Sequence, residues 1–193
     1  METNRSAIID KAARIILNTG LEALTIHNLA KELKVEKNQL YNQLLKDDDI
    51  ILILLLAFET DIIEFVKETE TKKVNPESEL KLLFKGLYFL FLQKPYYLSL
   101  IFDKSLMSRD ESIKHSVLRI RLIAEDYLTR IIDKGKRQNN FKTNESTKFL
   151  VNKILSGFRL FMKDEQRLNE MMLELKTLKT INDKNENEKK FKR

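Results

Sequence analysis

Apolar residues recur every three or four positions along most of the chain, the period of helices with one buried face. Ile8, Ala12, Ile15 and Ile16 form the first such stripe, with Asn4 and Ser6 as alternative caps before it and Gly20 as a stop after it. Thr25 is placed to cap a second helix, in which Ile26, Leu29, Ala30 and Leu33 fall at i, i+3, i+4 and i+7. Asn28 stands where a capping box prefers Glu or Gln. Lys34-Val35-Glu36 interrupts the pattern, with Val35 as a plug into the core. A third helix is expected over residues 37–44, burying Leu40 and Leu44 and turning Lys37, Asn38, Gln39 and Asn42 outwards.

Asp47, Asp48 and Asp49 then open a long fourth helix reaching about residue 71. Carboxylates in a first helical turn meet unpaired amides and the positive end of the helix dipole, at roughly 0.3–1 kcal/mol each. The run NPESE breaks this helix and starts a fifth over 78–93. Pro95 begins a short sixth through 102, and a seventh spans 110–136, closing at Gly135 and RQNNF. An eighth follows over 145–163 and a ninth over 166–181. The pattern divides the chain into a three-helix head at 1–46, a larger helical domain at 47–181 and a polar, fraying tail at 182–193.

Composition supports an all-α fold. Four glycines and two prolines in 193 residues leave few turns, and 42% apolar residues suffice for a core. The absence of cysteine excludes disulfides, thiol nucleophiles and thiolate metal sites. The longest apolar run, Ile50 to Phe58, is far short of the roughly 18–20 residues that cross a bilayer, and the acid-bearing N-terminus is unlike a signal peptide. A cytoplasmic protein without membrane contact is expected. Only His27 and His115 are present, with no nucleophile elbow, phosphate loop or His-Glu-x-x-His motif, so an enzyme, a cofactor and a bound metal are not expected. The net charge of +6 invites a nucleic-acid reading, yet residues 1–50 hold seven basic and eight acidic side chains. The basic excess lies elsewhere.

A helix, a tight turn and a second helix can place the second in the major groove of DNA, although hairpins in ordinary helical bundles share the pattern. Here Ala30 is small where two helices cross, and Val35 and Leu40 can fix the angle. Amide side chains pair with adenine edges, and Tyr41 offers a hydroxyl to phosphate and a ring to a thymine methyl. Thr25, Lys37, Asn38, Gln39, Tyr41, Asn42 and Lys46 are therefore the candidate DNA contacts.

The segment LTIHNLAKELKVEKNQLYNQLLKDDDI, after a first helix ending at Gly20, resembles the N-terminal domain of the TetR (tetracycline-repressor) family of bacterial regulators. The resemblance rests on Gly20, Leu24, Thr25, Ile26, Leu29-Ala30, Leu33, Val35, Leu40 and Tyr41, with the acidic start and Ile50 of the next helix. Four places depart from the family pattern. Lys34 replaces a turn glycine and Glu36 a small hydroxyl residue; Gln43 and Leu44 replace His and Phe; Asp47 stands where a phosphate-touching cation is usual, with Lys46 one position earlier. The resemblance implies a double-stranded, near-palindromic operator, a homodimer and a small-molecule effector, most simply a repressor released by a largely apolar ligand. The departures leave open a helical dimer that binds a small molecule or protein and no longer binds DNA.

Aromatic residues crowd the fifth and sixth helices, where they either close as ordinary core or leave a cavity. The resemblance implies an effector pocket here, with Phe84, Tyr88, Phe91, Tyr97 and Phe102 as lining candidates and Arg121, beside Arg119, as an anion anchor. The eighth and ninth helices are apolar over a wide arc, which serves either one core or a core and a partner. With the resemblance, Leu150, Ile154, Phe158, Phe161, Met171 and Leu175 become the candidate dimer contacts.

Overall fold

A computed structural model describes residues 4–177, and among these every regular element is helical. The first helix, α1 (Arg5–Thr19), is capped by the Asn4 side chain, which accepts from the Ser6 amide, and it stops at Gly20, whose φ of 90° suits glycine. After a 3-10 turn at Leu21–Ala23 come α2 (Ile26–Leu33), α3 (Lys37–Leu40) and the long α4 (Asp47–Thr71). The chain continues through α5 (Pro76–Gln93), α6 (Tyr96–Phe102), a second 3-10 turn at Lys104–Ser108, and α7 (Glu111–Arg137). It closes with α8 (Thr147–Lys163) and α9 (Glu165–Lys176). No helix among the described residues is long and apolar enough to cross a membrane.

Several boundaries differ from the expected ones for local reasons. α3 has one turn where residues 37–44 were expected; beyond it the chain tightens, and the Leu40 carbonyl accepts from Gln43 at i+3 as well as from Leu44 at i+4. Leu44 is still fully buried. α5 begins at Pro76, with the Asn75 side chain accepting from the Ser78 amide; proline at a first helical position gives up only an amide that had no partner. α7 does not stop at Gly135 but runs through it, and the left-handed residue is Asn139, φ 58°. Glycine is needed at 135 for a different reason: a Cβ there would lie 2.1 Å from the ring of Phe141, which is buried against it. α9 begins after Asp164, which caps the Arg167 amide, and its expected extension to 181 and the tail at 182–193 lie outside the described residues.

The described residues form two compact units, one of residues 4–65 with 89–123, the other of 66–88 with 124–177. In the first, α1 packs on α2, on the first 3-10 turn and on α6. Ile8, Ala12, Leu29, Leu40 and Leu54 are buried there, and Phe58 meets the Tyr97 ring at 4.4 Å. In the second unit α8 packs on α9, and Leu80, Ile132, Val151 and Met172 are buried. That unit also holds a buried ionic group. Glu79, 6% exposed, accepts from Lys134 at 2.8 Å and from the Tyr127 hydroxyl at 3.3 Å. Burial, then Glu79, pushes the Tyr127 hydroxyl above its ordinary range.

Candidate nucleic-acid interface

The head is built so that α3 stands on α2 with its polar side outwards. Thr25 caps α2 by accepting from the Asn28 amide at 3.2 Å, and the Asn28 side chain donates back to the Ala23 carbonyl at 2.8 Å. Asn28 thus braces the approach to the helix in place of the Glu or Gln that a capping box prefers. Ala30 is 4% exposed, which lets the following turn fold back so that the Val35 amide donates to the Ala30 carbonyl at 3.1 Å. Val35 is only half-buried, a shallower plug than expected. Leu29 and Leu40 close the hairpin core without exposure.

Lys34 makes the turn in the left-handed region, at φ 56° and ψ 43°. That conformation costs a residue with a Cβ on the order of 1–2 kcal/mol, a strain that glycine does not carry.

Beyond the turn, Lys37, Asn38, Gln39, Tyr41 and Asn42 are all exposed, Tyr41 by 47%. Donors for phosphates and for base edges are therefore open to solvent along α3 and the turn after it. Thr25 is half-buried at the start of α2, its hydroxyl oxygen already occupied as the cap.

The start of α4 is different. The Asp47 carboxylate accepts from the Ile26 amide at 2.7 Å, closing the N-terminus of α2 from a distance of 21 residues in sequence. Asp49 accepts from the amides of Leu45 and Lys46 at 2.6 and 3.1 Å. Asp48 pairs with Arg109 at 3.1 Å, and the other guanidinium nitrogen of Arg109 reaches Glu22 at 3.1 Å. Lys46, expected as a phosphate contact, forms an ion pair with Asp110. That pairing raises the pKa of Lys46, while the Lys46 ammonium and then the Ser112 amide hold the Asp110 carboxyl down at about 2. Leu45 projects from the same segment, 84% exposed.

A concave surface at the turn itself was not anticipated. It is lined by His27, Lys31 and Lys34 from α2 and its turn, and by Glu36, Lys37 and Asn38 from α3 and its cap. The spacing of Lys31, Lys34 and Lys37, every third residue, was the available signal.

The ligand candidates fall in different surroundings. In the first unit Phe91 and Tyr97 pack on Phe58, and the buried Tyr97 hydroxyl donates to Asp61 at 2.6 Å, where Lys94 also binds at 2.5 Å. Burial above all, then Asp61, raises the Tyr97 hydroxyl far beyond its ordinary range. Phe102 and Arg121 are exposed on that unit. Arg119 is engaged by a two-pronged contact with Glu59, at 3.1 and 3.0 Å. In the second unit Phe84 is buried edge-on to Phe161, 5.7 Å between centroids, and Tyr88 is 38% exposed.

Among the dimer candidates, Leu150, Ile154, Met171 and Leu175 are at most 5% exposed, so they face the interior of their own unit and have little area left for a partner. Phe158 and Phe161 are half-buried, the Phe161 ring folding back over Gly157. The outward apolar side chains of these helices are Phe149, Leu160 and Leu173, 48%, 61% and 64% exposed.

No family model matches the sequence, and no curated protein matches it. Solved structures match over nearly the whole chain. The TetR family transcriptional regulator PfmR from Thermus thermophilus is 17% identical, with 90% of this chain and 99% of that one aligned at a TM-score of 0.72. The ketosteroid transcriptional regulator KstR2 of Mycobacterium tuberculosis is 14% identical, covering 89% and 94% at 0.72. The fatty acid degradation regulator FadR from Bacillus halodurans is 14% identical, covering 89% and 92% at 0.69. Over about nine-tenths of its length the chain has the fold of these transcriptional regulators.

Proposed function

We propose that this protein is a one-component, cytoplasmic transcriptional regulator: a DNA reader at residues 1–46 and a helical effector-binding and dimerising domain from 47 to 181. The observation that carries the reading is the exposure of Lys37, Asn38, Gln39, Tyr41 and Asn42 on a helix-turn-helix, within a fold shared with such regulators over nearly their full length. Two copies joined through α8 and α9 would present two α3 segments to a near-palindromic operator. Phe149, Leu160 and Leu173, with Phe158 and Phe161 at their rim, are the surface offered for that contact. The effector is small and largely apolar, in keeping with the ketosteroid and fatty-acid names of two proteins that share the fold. It acts by favouring a conformation in which α4 holds the two heads at a spacing that does not fit DNA, which makes the protein a repressor released by its ligand. No catalytic step is assigned.

A second reading is favoured by the start of α4, where Asp47 occupies the α2 amide and Lys46 is held by Asp110. In that reading the chain is a helical dimer that binds a small molecule or protein and has lost DNA. Titration of the duplex upstream of its own gene, without effector and over a range of salt, separates the two. Salt-sensitive binding is expected; none at any salt would select the second reading.

A further inference from the structure

Where the head meets α4 its Lys46 is paired with an acid, and a basic concavity lies elsewhere on the head. Lys46 is neutralised by Asp110, Asp47 faces the α2 amide, and Leu45 is the exposed side chain between the hairpin and that acidic turn. Within the hairpin Lys31, Lys34 and Lys37 line one concave surface with His27, against the single carboxylate of Glu36. No carboxylate among the described residues pairs with any of the three ammonium groups. Like charges brought together without a counter-ion are unfavourable unless an anion is expected.

Lys34 adds a second observation. Its backbone is left-handed, a conformation that glycine adopts without strain, and the chain nevertheless carries a long cationic side chain there. Lys73 also has a positive φ, so strain alone does not single out Lys34; its place in the concavity does. Strain retained where a side chain meets a surface is the pattern of a functional position. The anion is defined by continuity, because Lys37 and Asn38 belong both to this concavity and to the outward face of α3.

We infer that the concavity formed by Lys31, Lys34 and Lys37 seats a phosphate of the DNA backbone, and that Lys34 is its central contact. The inference rests on the regulator reading above. It assigns the sequence-independent part of binding to the turn between α2 and α3, with the start of α4 contributing none. Phosphate contacts position a protein on duplex DNA and make affinity fall with salt, by a slope of about 0.9 per contact on a log–log plot.

The test uses the full chain and two labelled duplexes, one from upstream of its own gene and one of random sequence, titrated over a range of salt. Lys34→Gly removes the cation and relieves the backbone, so loss of binding cannot be ascribed to loss of fold. The thermal midpoint is expected to hold or rise. Affinity for both duplexes is expected to fall about threefold to tenfold, with the salt slope shallower by about 1. Lys34→Arg, which keeps charge and strain, is expected to keep the wild-type slope. An unchanged slope and affinity in Lys34→Gly, with the wild type binding normally, would overturn this inference alone. A wild type that binds neither duplex would overturn the regulator reading and this inference together.

Discussion

The start of α4 in the first unit and the Glu79 site in the second hold their charges in opposite ways. In the first, Lys46–Asp110 and the contacts of Arg109 with Asp48 and Glu22 lie at the surface, with side chains from a quarter to four-fifths exposed. In the second, Glu79 is nearly sealed from water, and Lys134 and Tyr127 are its partners. Exposed pairs contribute at most about 1 kcal/mol each to stability, because water and salt screen them. A buried carboxylate that loses its partner costs several times more. Surface pairs therefore matter here for the potential they leave on the head, and the buried pair for whether the second unit folds.

The largest expected effect tests the buried side of that contrast. Lys134→Met strands Glu79, and a loss approaching the ~3–5 kcal/mol of a fully buried broken pair is expected, reduced because Lys134 is 35% exposed. Denaturant unfolding measures it, and Glu79→Leu added to Lys134→Met is expected to restore most of the loss. Gly135→Ala comes next. Its new methyl meets the Phe141 ring at a distance no real Cβ accepts, so a loss of about 1–3 kcal/mol is expected by the same measurement. Restoration by Phe141→Leu would tie the effect to that contact.

On the exposed side the effects are smaller and fall on binding. Asp47→Asn keeps an oxygen on the Ile26 amide, so stability is expected to change little. Removing the negative charge is expected to tighten DNA binding about fivefold, the ~1 kcal/mol that water leaves between unit charges 4 Å apart. An unchanged affinity would place Asp47 away from the phosphates. The smallest effect concerns acid. The Asp110 carboxyl lies at about 2, below its ordinary 3.8, so its contribution to stability is present above about pH 4 and is lost as pH falls towards 2. Asp110→Asn is expected to flatten that part of the acid dependence, losing the small contribution near neutrality and nothing once pH has fallen to about 2.

What could be read from the chain was set by how local its causes are. Asn4, Thr25 and Gly20 bound their helices through contacts within four residues; Thr25 and Gly20 were legible from type and spacing, and Asn4 as one of two caps, with Ser6. The partners of the three aspartates were half legible: capping of the helix start was expected, and Asp49 does cap backbone amides there. The bond from Asp47 to Ile26 and the pairing of Asp48 with Arg109 span 21 and 61 residues, and only tertiary structure brings those groups together. Gly135 looked like a stop because glycine often is one, whereas its use is to admit the Phe141 ring. On α8 the apolar arc was seen to be wide, but periodicity gives no sign of which side turns inwards; Leu150 and Ile154 do, and Phe149 and Leu160 do not. The concavity at Lys34 was missed because a cation in place of a turn glycine reads as a departure from a pattern until its backbone and neighbours are seen.

The central claim is that α3 and the turn residues after it read DNA, and Tyr41 is its most exposed test. Tyr41 is 47% exposed and contributes little to the hairpin core, so Tyr41→Ala is expected to leave helicity and thermal midpoint close to the wild type. In a fluorescence titration of the duplex upstream of its own gene, the account predicts salt-sensitive binding by the wild type and its loss, by tenfold or more, in Tyr41→Ala. Equal binding by the two proteins would contradict it.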